Sequence, residues 1–306
     1  MIHSLLRTPL FILIIALAAC NDDQPTEFTP RVMRVFADNQ ALGFFAQRIG
    51  GEYVVVETPP LDQEGDWQPT LDDIVRIQSA DLILLNGAGF AQWAKRASLP
   101  ASRTRTMSDS KRDRWIEEVD TTAHAHGPDG EHTHTVTASY TWTDPEIAIK
   151  QADSVRFALS EIAPEHQEEF RSNLRILQRD IQTTSADVEQ AVNAQPSQPI
   201  LFSRPIYQYM QRRFRMNGQS VLWSPTEMPS NEQWNALEVV LKDHPAEFMI
   251  WPSEPNPEIA KRLQEMNISS VVYDPTGIAN PEENLLVKMK AGTKGLAEVY
   301  GLDLEP

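Results

Sequence analysis

Between Pro164 and Pro196 the chain contains neither glycine nor proline, and Phe170, Leu174, Leu177, Ile181 and Val188 fall on one helical face. That spacing predicts a helix from 164 to 192, about 30 residues or roughly 45 Å long. A lone helix of such length spans a protein or joins two parts of one. Ahead of it, Asp144-Pro145 offers an N-cap followed by proline at the first helical position, and Pro164 supplies a second such start. Residues 151–195 therefore read as linking helices.

Both flanks alternate between strand and helix. Before the long helix, strands are expected at 31–36, 53–58 and 81–85, with helices at 41–49 and 72–79, where Ile74 and Ile77 keep helical spacing. After it, strands are expected at 200–202, 220–223, 248–251 and 270–273, with helices at 205–214, 231–242 and 257–266. This alternation predicts an α/β fold of two Rossmann-like parallel-sheet lobes, 31–150 and 196–306, joined by one long helix. A solute would sit between the lobes, near the carboxyl ends of the strands. One stretch breaks the rhythm. Residues 110–143 are polar, hold four of the seven histidines, and carry Gly127, Pro128 and Gly130. Within it, the insert 121–137 is expected to be poorly ordered or low in contacts.

The N-terminus reads as an export signal. Arg7 precedes ten apolar residues, 10–19, and then Cys20. Ten residues make about 15 Å of helix, too short for a bilayer core of roughly 30 Å. Leu17-Ala18-Ala19-Cys20 looks like a lipobox, so 1–19 is the expected signal peptide, Cys20 the acylated residue and 20–30 a polar tether. The alternative is a plain signal peptide with an incidental cysteine. Cys20 is the single cysteine of the chain, so no intramolecular disulfide can form. The expected location is the periplasm, with the chain held to a bacterial membrane by its lipid.

A formal net charge of -16 argues against nucleic acid as a partner, and is compatible with cations or simply with solubility. Enzymatic signatures are lacking: no Gly-x-Ser-x-Gly elbow, no His-Glu-x-x-His, no phosphate loop, and no histidine near Ser203.

Four local sequences carry a resemblance. They are Gly65-Asp66-Trp67-Gln68-Pro69-Thr70 with the strand at Ala80–Leu84; Tyr140-Thr141-Trp142-Thr143-Asp144-Pro145; Arg204-Pro205-Ile206-Tyr207-Gln208-Tyr209; and Asp274-Pro275-Thr276-Gly277. They resemble the four binding loops of the solute-binding proteins of zinc, manganese and iron ABC importers, and a His-rich insert before the second loop resembles the zinc-type branch. The resemblance implies a zinc or other divalent-metal cargo, an ABC permease and its ATPase as partners, and a monomer. Its first three loops usually supply histidines, the third a glutamate in some members. Here the aligned residues are Gly65, Tyr140 and Arg204, and only Asp274 keeps the usual ligand type.

One carboxylate cannot hold zinc, which takes about four N, S or O donors. Arg204 would also repel a divalent ion 4 Å away by about 8 kcal/mol at an effective dielectric of 20. Two arrangements remain open: Arg204 fills the site and pairs with Asp274, with Glu254 as a second partner, or Arg204 faces solvent and Asp274 caps a turn. Trp67, Tyr140, Trp142, Tyr207, Trp223 and Trp251 either line the cleft or belong to the cores. A second class of function is open as well, a non-transporting interaction lipoprotein that keeps the fold without a metal site.

The insert offers a second metal candidate. His124-Ala125-His126 and His132-Thr133-His134 frame Asp129 and Glu131, and neutral imidazoles suit zinc or copper. If the affinity resides there, replacing His124, His126, His132 and His134 together by alanine removes most zinc binding in a calorimetric titration. An unchanged affinity for one zinc would put the site elsewhere.

Overall fold

The computed structural model describes residues 31–60, 67–120, 134–275 and 285–302. Cys20 and the leader, Gly65, the insert histidines His124, His126 and His132, and Thr276-Gly277 lie outside the described residues. From Val32 onward the chain forms one compact unit containing two four-stranded parallel sheets.

The first sheet is β1 (Met33–Ala37), β2 (Val54–Glu57), β3 (Leu82–Leu85) and β4 (Thr104–Thr106), in the order β2-β1-β3-β4. Helix α1 (Gln40–Gly50) crosses from β1 to β2, and α2 (Leu71–Gln78) lies between β2 and β3. Both helices start where the sequence offers a polar cap. Asn39 Oδ1 accepts the N–H of Leu42, and Thr70 with Asp73 forms a capping box.

The second sheet is β7 (Ile200–Phe202), β8 (Gly218–Ser220), β9 (Phe248–Trp251) and β10 (Ser269–Val272), in the order β10-β9-β7-β8. Helices α5 (Gln208–Phe214), α6 (Asn231–Asp243) and α7 (Pro257–Glu265) connect its strands, and α8 (Leu285–Val299) follows. The α/β fold of two parallel-sheet lobes is therefore present.

Three differences from the sequence reading have physical causes. The expected strand at 220–223 lies earlier, because Gly218 pairs with Ile200 and lies so close to the Phe202 ring that a Cβ would sit 2.3 Å from Cε2. The β-rich residues that follow serve otherwise: Trp223 enters the core and Leu222 is 73% exposed. Helix α8 was missed because Gly292 and Gly295 lower its intrinsic propensity. They are there because α8 lies against β10, with a Cβ on Gly292 only 2.7 Å from Tyr273 Cδ2. Finally, 110–143 is not all loop. Strands β5 (Glu117–Asp120) and β6 (His134–Thr137) pair antiparallel from Glu117↔Thr137 to Asp120↔His134, so the insert is carried on a hairpin and His134 belongs to its strand.

Helix α3 (Pro145–Ile162) starts on Asp144 as its N-cap. After a 3-10 turn at Pro164–His166 comes α4 (Gln167–Ala194), the expected long helix, with 28 residues. Its stripe is divided between two cores. Phe170, Leu174, Leu177 and Ile181 pack with α1, α3 and the first sheet, while Val188, Ala191 and Val192 pack with the second sheet and α8. Leu177 is fully buried and Ile176 is 47% exposed. Leu177→Ala should therefore cost about 2–5 kcal/mol in urea unfolding, and Ile176→Ala within about 0.5 kcal/mol of nothing.

Candidate functional site

In an open parallel sheet, ligands bind beyond the carboxyl ends of the strands where the winding reverses. In the first sheet that point lies between β1 and β3, and in the second between β7 and β9. Asp38 and Asn86 follow β1 and β3. Arg204 follows β7, Glu254 follows β9 and Asp274 follows β10.

Of the four loops singled out above, the second and third lie within the described residues, as do residues 67–70 of the first and Asp274-Pro275 of the fourth, and the second, third and fourth come together. Trp142, in the second loop, donates its indole N–H to the carbonyl of Pro275 in the fourth at 2.7 Å. Tyr140 packs against both the first and second cores, with its ring 5.0 Å from that of Trp142 and 5.6 Å from Phe90. Tyr207, in the third loop, is fully buried and donates to the carbonyl of Tyr273 at 2.8 Å. Burial pushes its phenol well above the ordinary range; the charge of Asp274 and neighbouring Tyr273 and Tyr140 add to this, and Arg204 partly offsets it. Tyr207 thus feels residues from the second, third and fourth loops at once.

Asp274 is buried at 4% exposure, whereas Arg204 and Glu254 are exposed. Among the described residues Arg204 forms no ion pair, so the Arg204–Asp274–Glu254 pairing left open by the sequence is not made. Trp67 is core rather than cleft, lying 6.1 Å from Phe36 and 5.7 Å from Trp93 between ring centroids. Trp223 and Trp251 are likewise core. Among the described residues, no three His, Cys, Asp or Glu side chains come together to hold a metal.

The sequence reading missed the polar network behind the second loop. Asp38 Oδ2 accepts the backbone N–H of Asn86, and its Oδ1 accepts from Asn39 Nδ2, both at 2.8 Å. Asn86 then donates to the carbonyl of Ser139, while its Oδ1 accepts from Thr141 Oγ1 at 2.9 Å and Gln151 Nε2 at 2.8 Å. All of Asp38, Asn39, Asn86, Thr141 and Gln151 are buried. One signal was available: a polar pair after one strand and Asn86 after another, each at a strand's carboxyl end.

A second set of contacts ties the lobes together. The Tyr209 hydroxyl accepts from Ile116 N at 3.1 Å and donates to Ala138 O at 2.9 Å, so α5 grips both arms of the hairpin at its base. Nearby, Arg114 pairs with Asp144 at 3.1 Å and with Glu146, while Arg212 and Arg213 approach the same carboxylates at 3.7 Å. The hydrogen bond from Arg114 holds the Glu146 carboxyl below its usual range.

Two doubly wound sheets bridged by a long helix, with loops from both meeting at the strand ends, define a two-lobed binding-protein architecture. The family described as zinc-uptake complex component A, periplasmic (ZnuA), matches residues 35–299, and the chain belongs to it. The iron-binding protein YfeA of Yersinia pestis is 28% identical over 191 residues, 61% of this chain and 58% of that relative. The chain thus spans well under two thirds of that relative's length. Zn(II)-bound AdcA of Streptococcus pneumoniae superposes with a TM-score of 0.71 at 15% identity, over 89% of this chain and 59% of that one. The metal-dependent lipoprotein YcdH of Bacillus subtilis also gives 0.71, at 17% identity, over 87% and 98%.

Burial raises the Asp38 carboxyl to about 7 although Asn86 and Asn39 donate to it. An unfolded aspartate titrates near 3.9. The group's contribution is therefore fully present below about pH 4 and is lost as pH rises to about 7, by at most roughly 1.4 kcal/mol per unit. Wild type should lose stability relative to Asp38→Asn as pH is raised from 5 to 7 in urea melts. A difference independent of pH would mean Asp38 is not strongly shifted.

Proposed function

We propose that the chain is the solute-binding lipoprotein of an ABC importer, anchored through Cys20 and delivering a divalent transition metal, zinc foremost, to a permease and its ATPase. The observation that carries this reading is the family match across 35–299, joined to loops from both sheets meeting at the strand ends. A family of binding proteins also argues against catalysis, as does the lack of catalytic motifs. No described helix is long and apolar enough to cross a membrane, which is compatible with attachment through lipid.

The bare three-histidine arrangement is not the one this chain uses. Gly65 and Arg204 cannot act as ligands, Tyr140 is a poor one at neutral pH, and Asp274 alone cannot hold zinc. His124, His126, His132 and His134 are the reading's candidates for a second, exchangeable metal store. The same empty positions favour the second reading, an interaction lipoprotein that keeps the fold without transport.

Cells lacking the chain decide between the two. Deletion should reduce uptake of isotope-labelled zinc, iron or manganese under metal limitation several-fold, and the wild-type gene should restore it. Cys20→Ala should release the protein from the membrane fraction. Unchanged uptake of all three metals would sink the transport reading and leave the interaction one.

A further inference from the structure

One rung of the hairpin is completed by a side chain from the other lobe. The ladder of β5 and β6 runs from Asp120↔His134 to Glu117↔Thr137, and Ile116 and Ala138 are the next facing residues. A hydrogen-bonded pair in an antiparallel ladder exchanges two backbone bonds. Here one is direct, from Ala138 N to Ile116 O at 2.9 Å. The place of the other is taken by the Tyr209 hydroxyl, which accepts from Ile116 N at 3.1 Å and donates to Ala138 O at 2.9 Å.

Tyr209 lies in the first turn of α5 and is fully buried, packed with Ala138, Ile147 and Ile116 in a small cluster of their own. One turn on, Arg212 lies over its ring at 5.2 Å and donates to the carbonyl of Arg114 at 2.8 Å. On the hairpin side, Ala138 leads directly into the second loop, where Ser139 O accepts from Asn86 Nδ2 at 2.8 Å. The phenol therefore stands between the root of the second loop and the helix that issues from the third.

The interposed hydroxyl has an alternative. An unpaired buried backbone group is costly, but Ile116 N and Ala138 O face each other and can bond directly once the phenol leaves. Direct pairing in turn closes the gap that the hydroxyl needs. A buried hydroxyl without a partner is then penalised, so the ring turns outward and takes the start of α5 with it. The two arrangements exclude each other, which makes the rung a two-state element.

We propose that Tyr209 is a latch that couples the second and third loops. With its hydroxyl in the rung the two loops form one cooperative unit; with the rung zipped the third loop is released. The latch is a property of the fold, whereas its use in capturing and releasing a solute rests on the delivery reading above. In that use Tyr209 is a positioning residue, acting through the loops rather than on the solute.

Hydrogen exchange of the isotope-labelled mature chain, followed by NMR in urea below the unfolding range, tests the latch without any solute. In the wild type the amide of Ile116 should show the same urea dependence as those of Ile206 and Gln211, which donate to Arg204 O and Tyr207 O, rather than that of the ladder amides of Glu118 and Asp120. In Tyr209→Phe, Ile116 should instead join the ladder amides, within about 3-fold of their rate, while Ile206 and Gln211 exchange at least about 5-fold faster than before. If Ile116 already follows the ladder amides in the wild type, the phenol couples nothing. If Ile116 exchanges about 10-fold faster in Tyr209→Phe, the rung does not close. Either result overturns the proposal, and neither bears on metal delivery, which the uptake experiment decides separately.

Discussion

Half of the apolar stripe of α4 is buried in the first core and half in the second. Phe170 through Ile181 complete the packing around α1 and α3, and Val188 through Val192 complete that around β7 and α8. Each half buries large side chains at about 1.5–3 kcal/mol apiece, so neither sheet can shift along the helix without exposing several of them. A helix of 28 residues is about 42 Å long and rigid on that scale. It sets the spacing of the two sheets, and so the place where their carboxyl-end loops meet.

Directional contacts then refine what the apolar packing allows. Indole to Pro275, and Tyr209 to both arms of the hairpin base, are buried or partly buried hydrogen bonds worth about 0.5–1.5 kcal/mol each when made and more when broken from one side. The arginines around Asp144 serve a different need. The Asp144 carboxylate is fully buried at the start of α3, where the helix N-terminus and Arg114 compensate its loss of water. The outer partners, Arg212 and Arg213, sit at 3.7 Å and are partly exposed, so they add little to stability. Hairpin, second loop and α3 are in this way joined to α5, the helix that follows Arg204.

The Asp38 network links the same loop to the sheet behind it. Five buried polar residues bind one another at the point where β1 and β3 diverge, and Gln151 reaches in from α3. Its hydrogen bonds among Asp38, Asn86, Thr141 and Gln151 Nε2 fix the loop's geometry, while Gln151 Oε1 is left buried without a partner. The second loop is therefore held from below, by the sheet and by α3.

Much of this architecture was legible beforehand. Alternating strands and helices, the cap at Asp144, and the unbroken stripe of α4 are short-range signals, and each produced its element to within a few residues. The loops at Tyr140, Arg204 and Asp274 could be singled out only through their resemblance to the binding loops of a known family. What the sequence could not decide depended on through-space geometry. Whether Arg204 pairs with Asp274, whether Trp67 faces a cleft or a core, and where β8 and α8 lie all turn on distances between residues far apart in the chain. The Phe202 ring requires Gly218, Tyr273 requires Gly292, and Phe36 with Trp93 draws Trp67 inward. Local pattern determines which elements form, since hydrogen bonding and side-chain periodicity act within a few residues. Which charges and rings finally touch was decided by close packing, which acts only once the whole chain has assembled.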